Sequence, residues 1–205
     1  MLLSLFGQPD PDSTLVNAAR GGDVRAFDAL VHRYHGRMRQ FVRSRLDSAI
    51  DSDDVIQDVF VSAWKELPGF RGRSRFKTWL FGIALHRCAD AWRKHQRLRA
   101  LLGEMEVPFD SWPEDTWGDN PEGWPAAVIE RTELRRHLGR LSEAERQVLE
   151  LYYYAELNMP EISALLDINL STLKYRFYQA HRNLRRHLEE PVESPVGAPA
   201  SRARK

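Results

Sequence analysis

The chain has 205 residues, of which 42% are hydrophobic and 29% are charged, and its formal net charge is +1. This size and composition fit one or two folded domains and exclude a chain too polar to bury a core. The single cysteine, Cys88, excludes an internal disulfide framework and any multi-cysteine zinc site. The sequence contains no run of about 18 apolar residues, which is the length needed to span a membrane.

The amino terminus, MLLSLFG, is apolar but has neither the basic leader nor the long apolar core of a signal peptide. A reducing compartment suits a chain with one cysteine. We therefore expect a cytoplasmic protein without membrane insertion.

The charge is segregated along the chain. Residues 71–99 carry nine Lys or Arg and one Asp, residues 104–122 carry seven acids and no Lys or Arg, and residues 171–188 have a balance of +5. Two basic blocks that flank an acidic block predict two nucleic-acid contacts, joined by a segment that does not contact nucleic acid.

Helical periodicity dominates the first half. It predicts a short helix at residues 14–20, ended by Gly21-Gly22, and a longer helix at residues 23–46. A third helix, at residues 51–64, opens with the acidic cluster DSDD, and a fourth begins at Phe76 and covers residues 76–96.

The fourth helix carries two apolar stripes, which are Phe76, Leu80 and Ile83, and Phe81, Leu85, Cys88 and Trp92. A helix that is apolar on two sides packs between neighbours. We therefore expect it at the centre of the first domain, with its basic end protruding.

The segment FRGRSRFKTWLF, residues 70–81, combines four cations with four aromatic residues. Aromatic rings stack on unpaired bases and cations hold phosphates, so this composition suits single-stranded nucleic acid. Phe76 and Trp79 are better explained as core residues, whereas Phe70, in the predicted loop, is the better candidate for stacking.

Periodicity breaks over residues 100–125, where PFDSWPEDTWGDNPEGWP contains four prolines and three tryptophans and is typical of a linker. The helical pattern resumes near Ala126. Ser142 and Glu145 form a capping box that opens another helix. The tail, residues 191–205, is compositionally disordered.

The pattern over residues 158–188 predicts a helix-turn-helix. A short helix at residues 159–166, with Asn158 as cap, precedes a turn at residues 167–169 and a longer helix capped by Asn169 or Ser171. The buried stripe of the second helix is Leu173, Phe177, Ala180, Leu184 and Leu188, and its opposite side carries Lys174, Tyr175, Tyr178, Gln179, Arg182, Arg185 and Arg186.

Such a helix fits a DNA major groove. A helical hairpin with a solvated basic face is the alternative. The absence of acids and the interleaved tyrosines favour DNA contact, because solvated faces usually mix charge signs.

Two stretches resemble bacterial RNA polymerase sigma factors of the extracytoplasmic-function (ECF) group. They are DDVIQDVFVSAWKELPGFRGRSRFKTWLFGIALHRCADAWRK and LSEAERQVLELYYYAELNMPEISALLDINLSTLKYRFYQAHRNL. The resemblance covers about residues 13–98 and 126–188. It implies an all-α fold with a first domain at residues 1–99, a linker at 100–125, a helix-turn-helix domain at 126–190 and a disordered tail at 191–205.

The resemblance also implies roles for individual residues. The first domain binds core RNA polymerase through Asp54, Gln57 and Asp58. It recognises and melts the −10 promoter element through Phe70, Arg71, Arg73, Ser74, Arg75, Lys77, Thr78, His86, Arg93 and Lys94. The second domain reads the −35 element through Ser171, Thr172, Lys174, Tyr175, Arg176, Tyr178, Gln179 and Arg182.

The resemblance implies core polymerase, promoter DNA and an anti-sigma factor as partners of a monomeric, non-enzymatic protein without metal or cofactor. The acidic linker is expected to thread the basic cleft of the polymerase. His86 stands where the family often has Asn, and Tyr175 and Gln179 also depart from the common pattern, so the promoter sequence should be unusual.

Two other classes of protein compete with this interpretation. A helix-turn-helix regulator that does not bind core polymerase would need an upstream α/β or ligand-binding domain, but the first half is helical. An enzyme or metal protein could use His32 with His35, or His86 with Cys88. No Asp, Glu or Cys motif accompanies either pair, and no Ser/His/Asp or paired-carboxylate arrangement is present.

Overall fold

The described part of the chain is built from α-helices. The computed structural model describes residues 10–46, 49–101 and 137–189, and these ranges contain no strand. Seven helices within them have defined bounds: α1 Ser13–Arg20, α2 Val24–Arg45, α3 Ser52–Glu66, α4 Phe76–Leu101, α5 Glu143–Tyr153, α6 Met159–Leu166 and α7 Leu170–Glu189. A 3-10 turn, Leu67–Gly69, follows α3. The predicted all-α fold is confirmed.

Residues 102–136 and the tail fall outside the described residues. The predictions of a linker, of a helical restart near Ala126 and of a disordered tail concern those residues and stay predictions.

Most helices begin at the caps that the sequence predicts. The side chains of Asp23 and Asp51 accept bonds from backbone N–H groups in the first turns of α2 and α3. Both side-chain and backbone bonds of a capping box are present at Ser142 with Glu145 and at Asn158 with Glu161. Each such cap contributes about 1 kcal/mol, because it satisfies N–H groups that lack an intrahelical partner.

The helix-turn-helix is formed by α6 and α7. Asp167 ends α6 in the left-handed conformation, with φ of 51°. The Ser163 hydroxyl donates to the Ile168 carbonyl at 2.6 Å, which closes the turn. Asn169 rather than Ser171 caps α7, because its Oδ1 accepts from the backbone N–H of Thr172 at 2.7 Å.

Helix α4 lies at the centre of the packing. Leu80 and Phe81, one from each predicted stripe, are fully buried. The helix packs against α2 and α3, and it also packs against α6. The prediction of a central helix is confirmed. The helix continues past Gln96 to Leu101, and Arg93, Lys94 and Arg97 on its protruding end are exposed.

One apolar core joins the two halves of the chain. Phe41 and Phe81 from the first half belong to the same cluster of buried residues as Leu151, Ile162 and Leu173 from the second. The sequence analysis predicts two small domains but does not predict this contact between them.

A smaller core lies under α7. It contains Leu138, Leu141, Leu149 and Ala180, with Phe177 and Leu184 packed against it. The predicted stripe therefore faces the core from Leu173 to Leu184. Leu188 does not, since it is 53% exposed.

Two aspartates before α1 anchor the first half. Asp12 is 1% exposed, pairs with Arg33 and accepts a hydrogen bond from the Tyr34 hydroxyl. Burial, reinforced by the bond to Asp12, raises the pKa of Tyr34. Asp10 Oδ2 accepts from the backbone N–H of Phe76 at 2.6 Å and so caps α4. No periodic pattern marks these contacts.

We expect Asp12→Ala to destabilise the protein by about 1–3 kcal/mol, because the buried Tyr34 hydroxyl loses its acceptor. For a chain of this size the melting temperature should fall by about 2–4 °C per kcal/mol. Thermal unfolding followed by circular dichroism measures the change. Asp28→Ala, at an exposed position of α2, is the control. Equal melting temperatures for the two variants would contradict a structural role for Asp12.

Candidate functional site

The outward face of α7 is exposed in the way that groove contact requires. Tyr175 is 65% exposed and Tyr178 is 70% exposed, although large aromatic side chains are usually covered. Ser171, Lys174 and Arg182 are also exposed. The remaining residues predicted for this face, which are half-buried, are Thr172, Arg176 and Gln179. All eight residues predicted for −35 contact therefore lie on α7, and five of them are exposed.

Gln179 is already engaged on this face. Its side-chain oxygen accepts a hydrogen bond from the guanidinium of Arg182, one turn further along. The bond orients both side chains without covering them, and Arg and Gln are residue types that bond guanine and adenine edges.

An aromatic cluster fixes α7 against α5. The Tyr153 hydroxyl lies 2.8 Å from His181 Nε2, and His181 Nδ1 lies 2.9 Å from the Phe177 carbonyl. The rings of Tyr152 and Phe177 pack with centroids 4.8 Å apart. None of these contacts was predicted from the sequence. The run of three tyrosines at residues 152–154 is the feature that could have indicated an aromatic cluster.

An open pocket of about 400 Å³ lies at the loop before α4. Its lining is Gly69, Phe70, Arg71, Arg73, Ser74 and Trp79. The volume is within the range of small-ligand sites. Arg71 and Arg73 are exposed at its edge. Gly72 has φ of 67°, a left-handed conformation that favours glycine, so the loop can turn sharply between the two arginines.

The aromatic residues of this pocket differ from the prediction. Phe70 was expected to be free in the loop, but it is only 8% exposed, and its ring packs 4.9 Å from Trp79 and 6.3 Å from Phe76. Phe76 is core, as predicted. Trp79 is half-buried and lines the pocket together with Phe70. The two rings form a wall of the pocket because the 3-10 turn folds Phe70 back onto α4.

Three residues predicted for −10 contact are covered. Arg75 Nη1 lies 3.6 Å from Glu161 Oε1, and Lys77 Nζ donates to the Glu156 carbonyl at 2.6 Å. Thr78 is 3% exposed. Both acids belong to the second half of the chain, so its helix-turn-helix lies over the start of α4.

The other residues predicted for −10 contact lie further along α4. His86, Arg93 and Lys94 are exposed. Arg93 Nη2 pairs with Asp90 Oδ1 at 2.6 Å, which partly neutralises the basic end. The −10 residues therefore divide into a pocket, a covered segment and an exposed helix end.

A third surface combines acids with an apolar groove on α2 and α3. Asp54, Gln57 and Asp58, the predicted polymerase contacts, are exposed on α3. Gln57 also lines a groove of about 480 Å³ whose apolar walls include Phe27, Val31, Ile56, Phe60, Val61 and Trp64. Val61 is 42% exposed. The polar residues were predicted from the sequence, whereas the groove was not.

The histidine and cysteine pairs considered as metal ligands lie in the described part of the chain. No group of three or more His, Cys, Asp or Glu residues that could hold a metal occurs in the described ranges. His35 stacks on Phe60 with centroids 6.3 Å apart. Burial raises the pKa of the Cys88 thiol to about 12, so this thiol is protonated at neutral pH. None of the described helices is long and apolar enough to cross a membrane.

Comparisons with known families match both halves of the chain. The family described as Sigma-70 region 2 matches residues 30–98, and the family described as Sigma-70, region 4 matches residues 131–184. The first match contains most of α2 to α4, and the second contains α5, α6 and most of α7.

Individual relatives match over nearly the whole chain. The RNA polymerase sigma factor CnrH of Cupriavidus metallidurans is 31% identical over 190 residues, which cover 90% of this chain and 97% of CnrH. The ECF RNA polymerase sigma-E factor of Escherichia coli is 31% identical over 173 residues, with 82% and 90% covered.

Solved structures agree with these matches. The structure of CnrH in complex with the cytosolic domain of CnrY has a TM-score of 0.65 at 28% identity and covers 86% of this chain and 96% of CnrH. The sigma factor RpoE of Bartonella quintana, in complex with the anti-sigma factor NepR, has a TM-score of 0.63 at 20% identity, with 83% and 100% covered. The second likeness supports the fold alone.

Proposed function

The chain belongs to the extracytoplasmic-function group of bacterial RNA polymerase sigma factors, and we propose that each surface described above carries one step of its work. The protein is a transcription initiation factor that binds core RNA polymerase and directs it to specific promoters. A regulator that does not bind core polymerase is not favoured, because residues 30–98 match Sigma-70 region 2. The assignment of residues to each step is our proposal.

We assign the steps to two functional units. Residues 1–99 bind the polymerase and melt the −10 element, residues 100–125 link the units, residues 126–190 read the −35 element, and residues 191–205 form a tail. The contact between α4 and α6 does not conflict with this division, because each unit also has its own helix packing.

The acidic face of α3 and the adjoining groove bind the polymerase in this proposal. The observation that carries it is the position of Gln57, between the exposed acids Asp54 and Asp58 and the apolar walls formed by Phe60 and Val61. An amphipathic helix binds such a groove with apolar side chains, while basic residues beside them meet the acids. Helix-start electrostatics does not explain Asp58, which lies beyond the first turn.

The pocket before α4 holds an unpaired base of the −10 element. Trp79 and Phe70 supply an aromatic wall, and Arg71 and Arg73 supply exposed cations for the adjoining phosphates. Arg93 and Lys94 extend the basic surface along α4. A base can enter this pocket only after it leaves the duplex stack, so the pocket favours melted DNA.

The outward face of α7 enters the major groove of the −35 element. Lys174, Tyr175 and Gln179 lie in the first half of the helix, and the N-terminal part of a recognition helix is the part that contacts base edges. Arg185, in the second half of the helix, is better placed for a phosphate. The exposed tyrosines are the observation that supports this proposal, because without a partner their rings would leave apolar surface exposed to water.

Further assignments follow from the family. The CnrH and RpoE structures contain CnrY and NepR, which supports an anti-sigma factor as a partner of this chain. We propose that the protein is not itself an enzyme, that RNA synthesis belongs to the polymerase, and that the protein acts in the cytoplasm as a monomer. In vitro transcription with core polymerase on a randomised promoter library tests the function and supplies the −10 and −35 sequences.

Charge reversal at the acidic face should weaken polymerase binding. We expect Asp58→Lys to raise the dissociation constant for core polymerase at least about ten-fold, which corresponds to about 1.4 kcal/mol. Fluorescence anisotropy of the labelled factor measures it. Glu66→Lys reverses an exposed charge at the end of the same helix and is the matched control. Equal affinities for the two variants would remove Asp58 from the interface.

Loss of a pocket cation should slow promoter melting. We expect Arg73→Ala to slow opening while duplex −35 binding stays unchanged, because Arg73 lies at the pocket and not on α7. The fluorescence of 2-aminopurine placed in the −10 element reports opening directly. Arg25→Ala removes an exposed cation of α2 away from the pocket and is the control. Normal opening by the Arg73 variant would contradict the pocket assignment.

Substitutions on α7 should separate base reading from phosphate contact. We expect Lys174→Ala, Tyr175→Ala and Gln179→Ala to change the preferred −35 sequence, because a base contact contributes about 1–3 kcal/mol of discrimination. Arg185→Ala should weaken all sequences alike and reduce the salt dependence. Selection from the promoter library measures both effects. Identical preferences in all four variants would show that this face does not read bases.

A further inference from the structure

A chain of hydrogen bonds connects the start of α5 to the last turn of α7. Glu145 Oε2 accepts from the Ser142 backbone N–H at 3.1 Å and from the Ser142 hydroxyl at 2.8 Å, as part of the capping box of α5. The other oxygen of Glu145, Oε1, accepts from Asn183 Nδ2 at 2.7 Å. Asn183 Oδ1 in turn accepts from Arg186 Nη2 at 2.8 Å. We call Glu145, Asn183 and Arg186 the relay.

The chemistry of the two end groups fixes the direction of the relay. A carboxylate only accepts hydrogen bonds, and a guanidinium only donates them. Because the Asn183 amide lies between the two, its NH2 group must face Glu145 and its oxygen must face Arg186. The reversed amide would place donor against donor at one end and acceptor against acceptor at the other. Both bonds therefore form in one arrangement only, and that arrangement orients the guanidinium.

The two ends of the relay lie in different environments. Glu145 and Asn183 are half-buried on two helices that pack against each other, whereas Arg186 is exposed. A free arginine side chain has many rotamers, and holding it in one geometry costs conformational entropy. The half-buried pair restricts Arg186 before a partner arrives. The relay thus holds a cation at the surface in a defined position.

Arg186 lies on the side of α7 that we assign to the −35 element. Gln179, Arg182 and Arg186 are separated by three and four residues, so they share one side of the helix. Arg182 bonds the Gln179 amide three residues before it, just as Arg186 bonds Asn183. Arg186 is in the last turn of α7. In homeodomains the C-terminal end of the recognition helix contacts the DNA backbone, which makes a phosphate the expected partner at this position.

We propose that Arg186 contacts a backbone phosphate beside the −35 element, and that Asn183 and Glu145 are positioning residues that hold its guanidinium for this contact. The inference rests on the proposed function, because it takes the outward face of α7 as the −35 surface. The relay engages Nη2 and leaves Nη1 and Nε outside it, and a planar guanidinium matches two phosphate oxygens. Such a contact adds affinity to every −35 sequence alike, because a phosphate carries no base information.

The test measures binding of full-length variants to duplex DNA that carries the −35 sequence from the promoter library. Fluorescence anisotropy gives the dissociation constant at several salt concentrations, and circular dichroism confirms that each variant is folded. Arg186→Ala removes the cation, whereas Asn183→Ala removes the centre of the relay and keeps the cation. Arg25→Ala removes an exposed cation of α2 and is the control for the change in net charge.

We expect Arg186→Ala to weaken binding about ten-fold for all −35 sequences, because a charged hydrogen bond is lost. The slope of log affinity against log salt should fall by about 0.9, which corresponds to one phosphate contact. Asn183→Ala should weaken binding about three-fold without changing the slope, since the charge is kept but must be ordered on binding. Arg25→Ala should bind as the parent protein does.

The double variant shows whether Asn183 acts through Arg186. If it does, Asn183→Ala adds no further loss to Arg186→Ala, so the double variant and Arg186→Ala should bind equally. Losses that add would show that Asn183 only stabilises the packing of α7 on α5, and would overturn its positioning role. A changed base preference in Arg186→Ala would overturn the phosphate contact, because it would place Arg186 on a base edge.

The same measurements separate this inference from the proposed function. A parent protein that binds a scrambled duplex as tightly as the −35 duplex would overturn the −35 assignment of α7. If the preference is present but Arg186→Ala binds with the parent affinity, only the phosphate contact is overturned. Unchanged −35 affinity together with weaker binding of core polymerase would assign Arg186 to a protein contact and would also overturn the inference.

Discussion

The structure depends on α4 being apolar on two sides. With only one apolar stripe, the helix would pack against α2 and α3, and its other side would face solvent. Gly82, on the same helix, lets α6 approach closely enough to join a single core. The same helix carries residues that we assign to −10 contact at its start and exposed cations at its end, so the burial that builds the fold also decides which of these residues are free.

Helix positions and types were predictable from the sequence because their causes are local. Asp51, Ser142 and Asn158 satisfy N–H groups within their own first turns, and apolar spacing identifies the buried side of each helix. The same reasoning placed Tyr175 and Tyr178 on an exposed face. The local rule failed at Leu188, which is exposed although its spacing continues the apolar stripe.

The contacts between helices were not predictable in the same way. Arg45 and Glu150 are 105 residues apart, and nothing at either position shows that one is the partner of the other. Phe70 belongs to a segment with loop composition, yet the turn at Leu67–Gly69 folds it against Trp79. Periodicity identifies a buried position but not the surface that covers it. For that reason the sequence did not show that Arg75 and Lys77, which we assign to −10 contact, bond the second half of the chain.

The length of α4 sets a fixed distance between the pocket before it and the cations near its far end. From Phe76 to Lys94 the helix rises by roughly 27 Å, at about 1.5 Å per residue. In the proposed function, the pocket and these cations therefore meet the melted strand at a separation that the helix fixes. An inserted residue would advance the far end by only about 1.5 Å but rotate it by about 100°, so the basic end would face away from the strand. Between Thr78 and Lys94, insertions and deletions are therefore limited more by the rotation that they cause than by the change in helix length.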